Sequence, residues 1–279
     1  GSLSDGTDGF RLSSGEKYSA FNTYLGDAET QDVDFLISGP LDGDNGSSRG
    51  NKLSTLAEAT TQANALISIA AARKDCIAVI SPRRESCVNN EGLESSSIIE
   101  LADTLTSTSY AVMDSAWTYQ YDKYTDNYCY IPGCSHTAGI MARTDAERDA
   151  WFSPAGVNRG QLLGVTKLAF NPKKADRDSL YKARVNPIVS LPGQGTLLFG
   201  DKTLLSRPSA FDRINVRRLF IALEKAVSTA AKAQLFEFND EFTRAQFKNA
   251  VEPFLREVKG RRGLTDFLVV CDTTNNTGN

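Results

Sequence analysis

Residues 55–82, TLAEATTQANALISIAAARKDCIAVISP, carry the reading that decides the fold. Thr55, followed three residues later by Glu58, forms a capping box, and Ala59, Ala63, Leu66, Ile67 and Ala70 recur at helical spacing as far as Arg73-Lys74. Cys76-Ile77-Ala78-Val79-Ile80 then runs apolar without alternation until Pro82. Such a strand is covered on both faces. Upstream, Asp32 to Gly39 is expected as a strand with Val33, Phe35 and Ile37 alternating, followed by a loop over Gly39 to Gly50. Downstream, Ser97 and Glu100 form a second capping box, Ile98, Ile99, Ala102 and Leu105 the next helix, and Tyr110 to Met113 the next strand. This alternation predicts an α/β fold: a mixed, largely parallel sheet flanked by helices, with additional antiparallel strands.

Beyond Ser115 aromatics dominate. Trp117, Tyr119 and Tyr121 alternate as in a strand, and Asp126-Asn127 reads as a turn. A third capping box, Thr144 with Glu147, is expected to start a short helix through Trp151, stopped by Ser153-Pro154-Ala155-Gly156. Pro208, Ser209 and Asp212 open the strongest helix, whose buried stripe is expected at Val216, Leu219, Phe220, Leu223, Ala226, Val227 and Ala230. A second helix is expected from Asp240 to Lys259, with Phe247, Ala250, Val251, Phe254, Leu255 and Val258 inward, Pro253 kinking or shifting it, and Gly260 and Gly263 as C-terminal punctuation. Leu264 to Cys271 reads as a closing apolar strand. Residues 1–32 are expected to be an extended or partly disordered segment, and residues 33–279 one core α/β domain with a sub-boundary near 115–130.

A hydrophobic fraction of 41% and a charged fraction of 23% are those of a globular chain with ample core. The formal net charge of -3 supplies no general field for nucleic acid, and the longest apolar stretch, Ala65 to Ala72, is interrupted by Ser68 and too short for a membrane span. Neither is expected as a partner. Gly1-Ser2 reads as a cloning remnant, which points to an excised fragment. Five cysteines, Cys76, Cys87, Cys129, Cys134 and Cys271, are expected to be reduced and to bind no structural metal.

Ligand motifs fit poorly. A phosphate loop needs Gly-Lys-Ser/Thr at the helix start, whereas Gly50 precedes Asn51, Lys52 and Leu53. Asp42 to Gly46 mimics a calcium loop, but Leu53 stands where the bidentate Glu belongs. Cys129, Cys134 and His136 match no common zinc spacing. His136 is the sole histidine and no Gly-x-Ser-x-Gly elbow is present, so hydrolase chemistry lacks its parts. No catalytic, cofactor or metal residues are assigned. The rival reading is a small-ligand or nucleotide-binding α/β enzyme built on residues 33–113.

The run Pro208, Phe211, Asp212, Arg213, Asn215, Arg217 and Arg218 resembles a signature of contractile phage tail sheath proteins. Residues 136–148, with Arg143 and Asp145, resemble that family's AGI-x-ARTDAER helix, and Trp151 with Pro154 its W-x-x-PAG turn. Asn186 to Gly200 and Phe267 to Asn276 resemble later segments in the same order, the likeness being greatest to the large sheath protein of long-tailed contractile phages. The resemblance implies a structural virion subunit, with no enzyme activity and no cofactor. It implies stacked hexameric rings of sheath subunits around an inner tail tube protein, meeting baseplate and tail terminator proteins, assembled in the host cytoplasm and shortening to drive the tube through the host envelope. It further implies strand exchange between neighbours through arms. The family continues past Asn275-Asn276 into another strand and a C-terminal arm, and its N-terminal arm is not recognisable in Gly1 to Asp32, so the chain is expected to be a folded monomer. Arg244, Lys248, Arg256, Lys259, Arg261 and Arg262 concentrate around the second helix and are expected to face the tube.

Overall fold

The apolar run 77–80 lies near the middle of a four-stranded parallel sheet in the computed structural model, which describes residues 14–41 and 55–276. In chain order the elements are α1 (Ser14–Leu25), β1 (Phe35–Ile37), α2 (Leu56–Arg73), β2 (Ile77–Ile80), α3 (Arg84–Cys87), α4 (Glu94–Thr104), β3 (Ala111–Asp114), β4 (Trp117–Asp122), β5 (Asn127–Pro132), α5 (Cys134–Glu147), β6 (Lys167–Leu168), α6 (Lys174–Lys182), β7 (Val185–Asn186), β8 (Ile188–Leu191) and β9 (Gly195–Leu198). A 3-10 turn over Ala210–Asp212, α7 (Ile214–Lys232) and α8 (Glu241–Gly260) complete it.

Sheet order is β1-β2-β3-β7, all parallel, with Phe35 opposite Ile77, Ala78 opposite Ala111 and Met113 opposite Val185. Every residue of β2 and β3 is buried. Ala78, Ile80, Ala111 and Met113 pack with Ala63, Leu66, Ile67 and Ala70 of α2 and Ile98, Leu101 and Ala102 of α4. The opposite face sets Ile77, Val79 and Val112 against Ala138 and Met141 of α5 and Ile214 and Ile221 of α7. Helices on both faces explain why the strands carry no polar alternation. Two antiparallel units join this layer: β5-β4-β6 and the β8-β9 hairpin. In the first, Tyr119 and Tyr128 stack with centroids 5.4 Å apart, and Tyr119 lies 4.7 Å from Tyr130, an aromatic ladder of the kind that holds a hairpin beyond the core.

The Thr55 cap forms as expected: its Oγ1 accepts from the Glu58 N–H, and Glu58 Oε2 accepts from the Thr55 N–H at 2.8 Å. The other two boxes do not form. Helix α4 starts four residues early, where Glu94 accepts from the Gly92 N–H, and Ser97 Oγ instead accepts from Asn90. Thr144 lies inside α5, fully buried, with its hydroxyl donating to Ile140 O, because Ala138, Met141 and Thr144 form one stripe against the sheet. Within residues 1–32 the extended expectation is corrected over 14–25, which form α1 and pack on α2. The expected first strand shortens to Phe35–Ile37.

Helix α8 runs through Pro253 without interruption, and of its expected stripe only Val251 and Val258 are buried; Ala250 is exposed. Its end is a Schellman closure, with the Gly263 N–H donating to Val258 O at 2.8 Å and the Arg262 N–H to Lys259 O at 3.1 Å. Arg262 takes the left-handed position, φ 66°, while Gly263 is required for space: a Cβ there would stand 2.6 Å from Val258 Cγ1. Leu264 to Cys271 is extended but pairs with no strand among the described residues, so the closing strand is corrected to an unpaired segment. The phosphate-loop and calcium-loop mimics, Asp42 to Gly46 and Gly50 to Leu53, lie outside the described residues.

Candidate assembly surfaces

The polar run at the start of α7 turns inward. Arg217 and Arg218 are 8% and 6% exposed, and with Ile214 and Ile221 they occupy the buried face at helical spacing. The expected stripe is corrected accordingly: Leu219 is buried, but Val216, Phe220, Leu223, Ala226, Val227 and Ala230 are all only half-buried. The Arg217 guanidinium is sandwiched 4.0 Å from the Phe211 ring and 4.3 Å from the Tyr110 ring; its Nε donates to Ser109 Oγ at 2.9 Å. Phe211 in turn meets Phe220 edge-on at 4.9 Å. Arg218 pairs with Asp145 of α5 and lies 5.1 Å from the Phe35 ring. Burial pushes the Asp145 carboxyl above the usual range, with Arg218 opposing that rise.

The other signature residues also bond within the fold. Arg213 pairs with Asp201 at 2.8 Å and donates to the Tyr181 hydroxyl. Arg143 donates to Arg159 O and Gln161 O, both at 2.7 Å. Asn215 donates to Trp151 O, while the Trp151 indole N–H donates to Arg261 O at 3.0 Å and ties the end of α8 to the 149–152 turn. Pro154 is buried and Pro208 exposed. Ser209 caps the 3-10 turn rather than α7, accepting from the Phe211 N–H, and Asp212 instead lies beside Arg213 at 3.5 Å. The partners Ser109, Tyr110, Tyr181 and Asp201 have no local sequence signal, because they stand 12 to 108 positions from the arginines they meet.

The six cations assigned to a tube-facing surface divide in two. Lys248 and Arg256 share Glu252 at 3.6 and 3.0 Å, Lys259 pairs with Asp266 at 3.0 Å, and Arg244 donates to Asn239. Arg261 and Arg262 instead line a cleft with Arg148 and Arg159. The unpaired segment 264–271 runs back along α8: Asp266 meets Lys259, and Lys248 and Arg244 near the helix start help hold the Asp272 carboxyl below its usual range, behind its hydrogen bonds from Thr274. Phe267, Val269 and Cys271 are half-buried, whereas Leu268 and Val270 are 83% and 43% exposed, the alternation of a strand with one open face.

At the carboxyl edge of the parallel sheet, where doubly wound enzymes open a crevice, the N-terminus of α5 closes in. Asp114 Oδ2 accepts from Ser81 Oγ at 2.8 Å, Oδ1 accepts from the Ala116 N–H at 3.0 Å, and Ser81 Oγ accepts from the Cys134 N–H at 2.7 Å. Gly133 permits this approach, since a Cβ there would lie 2.6 Å from Asp114 Oδ1. Complete burial pushes the Asp114 carboxyl up to about 7, against the hydrogen bonds it accepts. Burial likewise pushes the Cys76 thiol up to about 12 and raises Cys87 and Cys134, which disfavours the thiolate a nucleophile needs. His136, held below its ordinary pKa by burial, contacts Gln120, and Cys129 is exposed while Cys134 is buried.

The family model for the phage tail sheath protein central domain matches residues 45–204, and that for the phage tail sheath C-terminal domain matches residues 206–279. The tail sheath protein of Vibrio phage KVP40 is 45% identical over 233 residues, which cover 78% of this chain and 35% of that protein. The tail sheath protein of Enterobacteria phage T4 is 40% identical over 265 residues, covering 91% of this chain and 38% of that protein. The chain thus spans little more than a third of the length of these relatives. Among solved structures, the anti-feeding prophage baseplate aligns with TM-score 0.61 at 18% identity, covering 76% of this chain and 53% of that one. The sheath complex of an extracellular contractile injection system in its contracted state aligns at 0.58 and 23%, covering 69% and 51%. Likeness at these identities shows a shared fold.

Proposed function

The chain belongs to the phage tail sheath proteins, and from that premise we propose that it is the part of a contractile sheath subunit that links neighbouring subunits and grips an inner tube. The observation that carries this reading is the extended segment 264–271, with Leu268 and Val270 outward and no ladder partner among the described residues. Such a segment offers a row of backbone donors and acceptors to an arm from another subunit, which is strand addition at an open edge. Paired on that edge, copies would stack as hexameric rings, and the sheath would shorten by rearranging subunits rather than by consuming a ligand.

The exposed cations Arg256 and Lys259, with half-buried Arg244 and Lys248, support α8 as the tube-facing element. Each such ion pair across the interface would contribute only about 0 to 1 kcal/mol, and the grip would come from repetition along the tube. In this reading the buried α7 arginines are transmission parts: Arg217 and Arg218 tie the matched C-terminal domain to Ser109, Tyr110 and Asp145 of the matched central domain. Tail sheath proteins are virion components; assembly in the host cytoplasm, on a baseplate and up to a terminator, completes the proposal.

The test is Leu268→Pro with Val270→Pro in the full-length protein, assayed by sedimentation and electron microscopy for tubes. Two prolines remove ladder donors without touching the core. Loss of tubes by a protein with unchanged thermal unfolding is expected; normal tubes would remove the segment from the subunit junction. Charge reversal at Lys248, Arg256 and Lys259 tests the grip separately, through assembly on purified inner tubes.

A further inference from the structure

A cleft of about 540 Å³ opens where the C-terminal ends of α5 and α8 meet, lined by Arg148, Arg159, Arg261 and Arg262 with Glu147, Asp149 and Phe152. Its walls are fixed. Arg159 Nε donates to Ser153 O at 2.7 Å with its guanidinium over Phe152, and Arg261 is committed to Asp149 at 2.7 Å and lies over Trp151. The left-handed backbone of Arg262 follows from the helix closure, and Arg262 lines the cleft beyond the end of α8. Arg148 and Arg262 are exposed, and neither guanidinium makes a hydrogen bond among the described residues. Two helix C-termini explain why cations collect here. They do not use the planar donor forks of Arg148 and Arg262, which match a carboxylate two bonds at a time.

The same chain carries an acidic turn. Gly26 to Asp34 holds Asp27, Glu29, Asp32 and Asp34 and no cation. Arg73 pins this turn to the body, donating to Leu25 O at 2.7 Å, Asp27 O at 3.0 Å and Gln31 O at 2.6 Å. Asp32 and Asp34 hold Lys225, and Asp27 caps its own turn through the Glu29 N–H and Thr30 hydroxyl. Glu29 is exposed and makes no ion pair among the described residues, on the rim of a second cleft that Arg73, Lys74, Lys225 and Lys232 also line.

We propose that the arginine cleft of one copy receives the Glu29 turn of a second copy. Turn and cleft are different residues, so the contact repeats from subunit to subunit when it is made head-to-tail, the type of contact that generates rings or helical arrays, and closes on itself when two copies make it reciprocally. The inference rests on the sheath reading, which supplies the neighbouring copies, but concerns a junction separate from the strand edge.

Three variants of the full-length protein test it: Glu29→Arg, Arg148→Glu with Arg262→Glu, and all three changes together. Each reversal alone is expected to raise the protein concentration needed for tube assembly roughly tenfold, and the combination to restore it to within about threefold of wild type. The neutral changes Glu29→Gln and Arg262→Gln serve if a reversal disturbs thermal unfolding, each with a smaller loss in the same direction. Tubes at the wild-type concentration from the single reversals, or a combination worse than either, would overturn the contact and leave the sheath reading standing. Wild-type protein that forms no ordered assembly would overturn both.

Discussion

Replacing Asp114 by asparagine should change how stability depends on pH rather than simply lower it. The unfolded carboxyl titrates near its ordinary 3.8, whereas in the folded chain it titrates near 7 because α5 and the sheet remove it from water. Between these values the folded state keeps a proton that the unfolded state has lost. Wild-type stability therefore falls as pH rises through this window, at about 1.4 kcal/mol per unit, on the order of 4 kcal/mol in all. The asparagine amide would not titrate. Its NH2 group, however, brings two hydrogens where the protonated carboxyl brings one, and sets a donor against Ser81 Oγ or the Ala116 N–H, which costs about 1 to 3 kcal/mol at every pH. Urea unfolding followed by fluorescence of Trp117 and Trp151, between pH 4.5 and 8.5, reads the difference. The wild type should lead by about 1 to 3 kcal/mol at the acid end and lose that lead by pH 8.5. Asp145, whose carboxyl is also raised, is present in both proteins and cancels. A gap that stays constant across the range would refute the buried, proton-holding carboxyl.

Gly263→Ala should lower stability by about 1 to 3 kcal/mol, because the new methyl group would meet Val258 and, at 3.1 Å, Trp151; calorimetric melting measures it. Arg217→Ala should cost about 2 to 3 kcal/mol through the lost Phe211 and Tyr110 faces, whereas Arg217→Met, which keeps the stem packed, should cost less; denaturant midpoints rank the two. Thiol labelling under native conditions should reach exposed Cys129 first and half-buried Cys271 next. Cys76, Cys87 and Cys134 should react only at the rate of unfolding.

Where a signal is local, the chain alone determined the structure. The Thr55 box, the unalternated run 76–80, the Trp117, Tyr119 and Tyr121 alternation and the helix start at Asp240 each depend on neighbours within a few positions, and each forms as read. The boxes at Ser97 and Thr144 misled because the same residue spacing is satisfied inside a helix whose true start is set by packing on the sheet. Segment 264–271 shows the division within one stretch: its apolar run was legible, but a strand exists only with a partner, and none among the described residues supplies one. The signature residues were legible as a run, yet their direction was not. A hydropathy pattern counts Arg217 and Arg218 as surface, and only the tertiary structure brings Ser109, Tyr110, Asp145 and Phe35 around them. A buried guanidinium is tolerable only when distant residues satisfy its donors and cover its faces, and that condition is met in space, not along the chain.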